Sequence, residues 1–126
     1  MEVPEDLRYS TDHEWARLEG DRVRVGITDY AQDALGDIVF FDAPAVGTVV
    51  ERDGSFSEVE STKSVSDIFA PVGGTIVEVN SQLVDEPDLM NRDPYGEGWI
   101  CVLHPADPGD YDQLMDAAAY RQLTAD

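Results

Sequence analysis

The sequence predicts a mainly β domain, a sandwich or barrel of short strands that ends in helices. Three observations carry that expectation. Short apolar segments recur at regular spacing between Pro44, Gly47, Gly54, Pro71, Gly73 and Gly74, the punctuation of all-β folds. Ala43-Pro-Ala-Val-Gly-Thr-Val-Val-Glu51 also aligns without gaps to Ala70-Pro-Val-Gly-Gly-Thr-Ile-Val-Glu78, an echo that points to two similar halves related by a quasi-two-fold axis. From Asp110 onward, Tyr111, Leu114, Met115, Ala118 and Ala119 recur at helical spacing.

Taken in order, Trp15 to Leu18 and Arg22 to Ile27 read as strands, the second alternating polar with apolar residues, and Glu19-Gly20-Asp21 suits a hairpin between them. Thr28-Asp29 can cap a short helix through Ala31 to Leu35, with Gly36 at its C-terminal end. Strands follow at Ile38 to Phe41, Thr48 to Glu51, Phe56 to Glu60, Val65 to Phe69 and Thr75 to Val79. Trp99 to Leu103 is one more, apolar enough for burial on both faces. No linker or low-complexity stretch divides the chain, so residues 1–126 are expected to form one domain. Its core spans about 7–104 and its C-terminal helices about 108–124.

Composition narrows the function classes. With 42% hydrophobic residues the chain can bury a core, although it carries 27 Asp plus Glu. A net charge of −19 disfavours nucleic acid and anionic membrane as partners and suits docking on basic protein surfaces. No apolar run reaches the length of a membrane span. Met1 to Asp6 has neither the basic-then-apolar order of a secretory signal nor an Arg-rich transit composition, so a cytoplasmic protein is expected. The basic residues are seven Arg and one Lys, Lys63, which lies between the two copies of the echo.

Around that lysine the chain reads Phe56-Ser-Glu-Val-Glu-Ser-Thr-Lys-Ser-Val-Ser-Asp-Ile-Phe69. Two short strands flanking a small polar turn would project Lys63 into solvent at a hairpin tip. Its amine can form a stable amide with a carboxylic acid cofactor, and its long stem adds reach. Pairing with Glu58, Glu60 or Asp67 as an ordinary surface ion pair is the plainer alternative.

Val59-Glu-Ser-Thr-Lys-Ser-Val-Ser-Asp67 resembles the lipoylation site of the glycine cleavage system H protein family. His13-Glu14-Trp15, Val25-Gly-Ile-Thr-Asp-Tyr-Ala-Gln32, Leu35-Gly-Asp-Ile-Val39, Ala70-Pro71, Glu78-Val-Asn80 and Asn91 to Trp99 are similar to further family segments, in the same order. Asp42-Ala43-Pro44 and Ser57 depart from the pattern, away from the lysine.

The resemblance implies a lipoyl/biotinyl-type sandwich, a barrel-sandwich hybrid of two small sheets, with short helices. It implies a carrier rather than an enzyme, with lipoic acid on Lys63. In the family, such a shuttle takes an aminomethyl group from glycine decarboxylase (P protein) to an aminomethyltransferase (T protein). It is then reoxidised by dihydrolipoamide dehydrogenase (L protein), and lipoate-attaching enzymes are further partners. A monomer is expected of a mobile shuttle. The cargo carries an amine, cationic near neutral pH, and a cleft hiding it from water needs a carboxylate; Glu14 and Asp67 are the candidates.

Alternatives are a lipoyl or biotinyl domain of another enzyme complex, and an H-like lipoate relay or unmodified interaction module. His13 and His104 read as structural or surface residues and Cys101 as a core residue. Gly73-Gly74 reads as a turn, and Asp33 and Asp37 are not expected to be catalytic.

Overall fold

The computed structural model describes residues 1–125. Its strands form two antiparallel sheets, as expected, but of unequal size. The larger has six strands. These are β1 (Arg8–Tyr9), β2 (Glu14–Glu19), β3 (Arg22–Ile27), β5 (Val49–Val50), β8 (Gly74–Val79) and β9 (Cys101–Pro105), in the order β1-β2-β3-β9-β8-β5. The smaller is β4 (Ile38–Asp42), β6 (Ser55–Ser61) and β7 (Val65–Phe69), in the order β4-β6-β7. Helix α1 (Asp29–Leu35) links the sheets. Val25, Ile27, Ile38, Phe41, Val59, Ile68, Ile76 and Leu103 fill the space between them and are almost completely buried.

The echo between Ala43–Glu51 and Ala70–Glu78 has a counterpart in the pairing. Superposing the copies carries Val49 onto Ile76 and Thr75 onto Thr48. Val49 pairs with Thr75, and the image pair is also bonded, Ile76 N–H donating to Thr48 O at 2.9 Å. A register that maps onto itself is what a local two-fold axis through the β5–β8 pair requires. The strand expected over Thr48 to Glu51 contracts to its two valines.

On the other face of the large sheet a second apolar cluster joins both chain ends. Val3, Leu7, Tyr9 and Trp15 pack with Ala117 and Tyr120 of α5 (Ala117–Thr124). Here the expected helical periodicity fails. After the single turn of α4 (Gly109–Asp112) the chain leaves the helix, and Met115 makes a two-bond bridge with Tyr9. Asp116 then restarts the helix as its N-cap, its Oδ1 accepting from Ala119 N–H at 2.8 Å. A cap residue resets the helical phase, so Ala117 and Tyr120 are buried while Ala118 and Ala119 are exposed. One-turn helices α2 (Gln82–Asp85) and α3 (Leu89–Arg92), too short to show a period, supply Leu83, Leu89 and Met90 to the core. The last strand is also shifted: Trp99 precedes β9, and its ring packs under the Arg24 guanidinium at 4.4 Å.

Trp15 shows how tightly this second cluster is fitted. It is fully buried, its indole N–H donates to Pro94 O at 2.9 Å, and its ring lies over Gly26, its register partner on β3. A Cβ on Gly26 would stand 2.6 Å from the indole. Gly26→Ala is therefore expected to lower unfolding free energy by about 1–3 kcal/mol, the usual cost of overpacking. Urea denaturation would measure it, and an unchanged midpoint would show that the indole can move aside.

Candidate functional site

Lys63 sits at the tip of the β6–β7 hairpin and is exposed. Ser61 closes this turn. Its backbone N–H donates to Ser64 O at 2.8 Å, and its hydroxyl oxygen accepts from the N–H groups of Lys63 and Ser64, each at 3.1 Å. A hydroxyl that satisfies two turn amides holds the tip without using the lysine side chain. Thr62 N–H donates to Asp37 O at 3.0 Å, which fastens the hairpin to the segment after α1.

Gly36, in that segment, has two tasks. It ends α1 at φ 80°, a conformation that favours glycine, with its N–H donating to Gln32 O at 3.0 Å. It also leaves room for the lysine stem, since a Cβ there would lie 3.0 Å from Lys63 Cε and 3.5 Å from Nζ. Asn91 fixes this platform. Its Nδ2 donates to Gly36 O at 2.8 Å and Gln32 Oε1 at 3.1 Å, while its Oδ1 accepts from Ile38 N–H at 2.9 Å.

A cleft of about 180 Å³ begins beside this platform. One wall is α1, through Leu35, Ala34, Ala31 and Tyr30. The facing wall is the hairpin, through Val59, Ser66, Asp67 and Ile68, and the far end is Asp12, His13 and Glu14. The fold thus brings Glu14 and Asp67, distant in sequence, onto one cleft. Asp67 is exposed. Glu14 is 2% exposed, its Oε1 accepting from the Ser10 hydroxyl at 2.6 Å and its Oε2 receiving only a long contact from Phe69 N–H at 3.4 Å. No ion pair to Glu14 forms among the described residues. Burial pushes its carboxyl up to about 8, against the smaller opposing effect of those hydrogen bonds.

Beside it, His13 stands at φ 70° with its ring 4.6 Å from that of Tyr30 and its Nδ1 2.9 Å from Tyr120 Oη. Burial lowers its pKa, against the smaller opposing effect of Asp12, and so disfavours the imidazolium.

The outward face of the small sheet also adjoins the lysine. Phe40, Glu60 and Val65 form one cross-strand row, and Asp42, Glu58 and Asp67 form the next. Phe40 and Val65 are 49% and 58% exposed. A row of three carboxylates in register is self-repelling, so structure alone does not favour it.

These features coincide with comparisons to known proteins. The family model described as Glycine cleavage H-protein matches residues 7–126. The chain belongs to the glycine cleavage H-protein family. It is 57% identical over 123 residues to the glycine cleavage system H protein of Thermus thermophilus, covering 98% of this chain and 96% of the relative. The H protein of an Anaeromyxobacter species is 54% identical over 121 residues, covering 96% and 94%. The solved structure of the Mycobacterium marinum H protein superposes with a TM-score of 0.87 at 45% identity, over 95% of this chain and 97% of that one.

The remaining residues raised by the sequence lie elsewhere. Cys101 is buried and its thiol is pushed up to about 12, which leaves it unreactive. Asp33, Asp37 and His104 are exposed, and no metal-ligating cluster occurs among the described residues. No local pattern singles out Ser10, Tyr30, Asn91 or Tyr120, and His13 reads as a structural or surface residue. Tyr30 and Asn91 lie within the Val25 to Gln32 and Asn91 to Trp99 segments, the signals that could lead to them.

Glu14 makes stability depend on pH in a definite direction. Its carboxyl is raised from 4.5 to about 8, so between those values the folded chain binds more protons at Glu14 than the unfolded chain. Its contribution is neutral below pH 4.5 and grows unfavourable as pH rises toward 8. In Glu14→Gln that contribution is absent, so the variant gains stability relative to the parent across this window, by at most about 1.4 kcal/mol per pH unit. Denaturant titrations at several pH values give the difference, and parallel curves would refute the raised value.

Proposed function

We propose that this chain is a shuttle of a glycine cleavage system that carries lipoic acid as an amide on Lys63 Nζ, with residues 1–126 as one carrier domain. One observation carries the reading. The chain's only lysine stands at an exposed, rigidly tied hairpin tip, beside a cleft that runs to a buried carboxylate without a cation. The donor set fits: an accessible primary amine for acylation, an apolar channel for a hydrocarbon arm, and a buried carboxyl that can ionise against an amine. Lys63 Nζ would hold the lipoyl group, whose dithiolane would supply the aminomethyl-carrying and redox chemistry used with a glycine decarboxylase, an aminomethyltransferase and dihydrolipoamide dehydrogenase. The chain itself acts as a carrier and catalyses none of these steps.

Its residues have three tasks. The Ser61 turn and the Thr62–Asp37 bond hold Lys63 outward, where lipoate-attaching enzymes can reach the amine. Ala31, Ala34, Leu35, Val59 and Ile68 form a wall that excludes water. Glu14 keeps its proton while the cleft is without a cation, and gives it up when an ammonium arrives to pair with the carboxylate. Asp67 adds negative charge at the rim, where solvent screens it. The Phe40–Val65 row with its carboxylates offers the enzyme partners an apolar contact ringed by negative charge, suited to a basic surface.

Two experiments test this. Native protein is expected to show the intact mass of the lipoylated chain, with the modification mapping to Lys63. Lys63→Arg should keep its denaturation midpoint and lose all glycine-dependent transfer, because arginine cannot be acylated and no other side-chain amine exists. Full activity in that variant would overturn the assignment. Separately, Glu14→Ala is expected to shorten the lifetime of the loaded protein severalfold, by removing the partner of the hidden amine. Asp67→Ala should shorten it less, since Asp67 is exposed. Lifetimes equal to the parent's in both variants would remove the protective role.

A further inference from the structure

Tyr120 lies on α5, outside the cleft lining, yet its hydroxyl joins two walls of the cleft. It is fully buried, and its ring stacks on Tyr9 at 4.6 Å. Its Oη is 2.7 Å from Thr28 Oγ1 and 2.9 Å from His13 Nδ1. Thr28 is the N-cap of α1, its Oγ1 accepting from Ala31 N–H at 3.1 Å. His13 is the residue before Glu14 and lines the far end of the cleft.

The direction of these bonds can be worked out. Thr28 is completely buried, and the one acceptor in reach of its hydroxyl proton among the described residues is Tyr120 Oη. Leaving that proton unbonded would cost the desolvation of a buried donor, so Thr28 donates to Tyr120. The phenol's own proton must then go to His13 Nδ1. The chain runs one way: Ala31 N–H to Thr28 Oγ1, Thr28 O–H to Tyr120 Oη, Tyr120 O–H to His13 Nδ1. A ring whose Nδ1 accepts carries its proton on Nε2.

We propose that Tyr120 is a positioning residue of the carrier, holding His13 as the neutral Nε2–H tautomer so that Glu14 stays free to pair with a cationic cargo. The inference rests on the protective role of the cleft argued above. A protonated His13 beside Glu14 would occupy the carboxylate or repel an arriving ammonium. A donated phenol proton at Nδ1 opposes that protonation at the atom where it would occur. The other titratable groups around His13 are Asp12 and Glu14 in its own loop, Tyr30 from α1 and Asp67 across the cleft from β7. Of these, Asp12 favours the cation and burial disfavours it more strongly. Tyr120 is itself held protonated, its phenol pushed up to about 12 by burial.

The first test needs no cofactor. Nitrogen-15 NMR of the unmodified protein at pH 7 should show His13 as the Nε2–H tautomer; an Nδ1–H or averaged pattern would overturn the proposal. Tyr120→Phe keeps the ring stacked on Tyr9 and removes only the hydroxyl. In that variant the His13 pattern should become averaged and its titration should move to higher pH, while Thr28→Ser, which retains a hydroxyl, should keep the parent's pattern. In the lipoylated, loaded protein, Tyr120→Phe should hasten decay of the cargo severalfold, the more so as pH falls through the His13 titration. A tautomer or a decay profile identical to the parent's would refute the role of Tyr120. Unchanged decay in both Glu14→Ala and Asp67→Ala, by contrast, would refute the protective cleft itself, and the tautomer spectrum separates the two failures.

Discussion

A carboxyl group buried without a cation is the constraint on which the site depends. Glu14 is held at the start of β2 by Ser10 and reached weakly by the β7 backbone, and its desolvation outweighs both contacts. Burying a charge this way costs several kcal/mol, and a stability-optimised core would place an apolar residue there. Retaining a carboxyl at 2% exposure makes sense when a cation visits. The same argument explains the neutral His13 beside it. A permanent cation would relieve Glu14 and remove its reason to bind anything.

The lysine is treated in the opposite way. Nothing in the hairpin uses its charge: Ser61 satisfies the turn, and Thr62 and Asn91 tie the surroundings to α1 and β4. The backbone around the tip is therefore fixed while the side chain stays available. Rigid support and a free functional atom are compatible because separate groups supply them. Gly36 connects the two parts of the site, since it leaves room for the lysine stem and comes directly after Leu35 of the cleft.

How much of this was legible in the sequence follows from the range of each interaction. The β2–β3 and β6–β7 hairpins, the Thr28 cap, the Gly36 terminus and the exposed tip at Lys63 all rest on neighbours in the chain, and all could be read. The internal echo could be read too, because a two-fold pairing repeats local chemistry. The face of α5 was misread through a local rule given too little weight: Asp116 is a cap, and a cap breaks the period. Glu14 can be named as a candidate, but its burial comes from packing distant in sequence, and its contact from the Phe69 N–H spans 55 residues. The Tyr120 bridge to His13 spans 107 residues, and no local pattern announces it. What stays hidden is the part of the site made by packing the C-terminal helix against β1, the loop before β2 and the cap of α1.

The net charge of −19 acquires a different meaning in this setting. The proposed acylation of Lys63 would remove the chain's only lysine cation and leave the hairpin and the β4-β6-β7 face with carboxylates alone. Charges on that face are exposed, apart from the half-buried Glu58, so they act over a Debye length of about 8 Å at physiological salt and contribute little once screened. Such an interface speeds encounter more than it prolongs binding. A carrier that must leave each enzyme to reach the next needs that balance, with persistence kept for the cleft. There, in the proposed loaded state, a single buried charge pair would be shielded from salt and would hold a small cargo that the open surface could not. Selectivity in timing thus comes from placing the same chemical group, a carboxylate, in two dielectric environments on opposite sides of one three-stranded sheet.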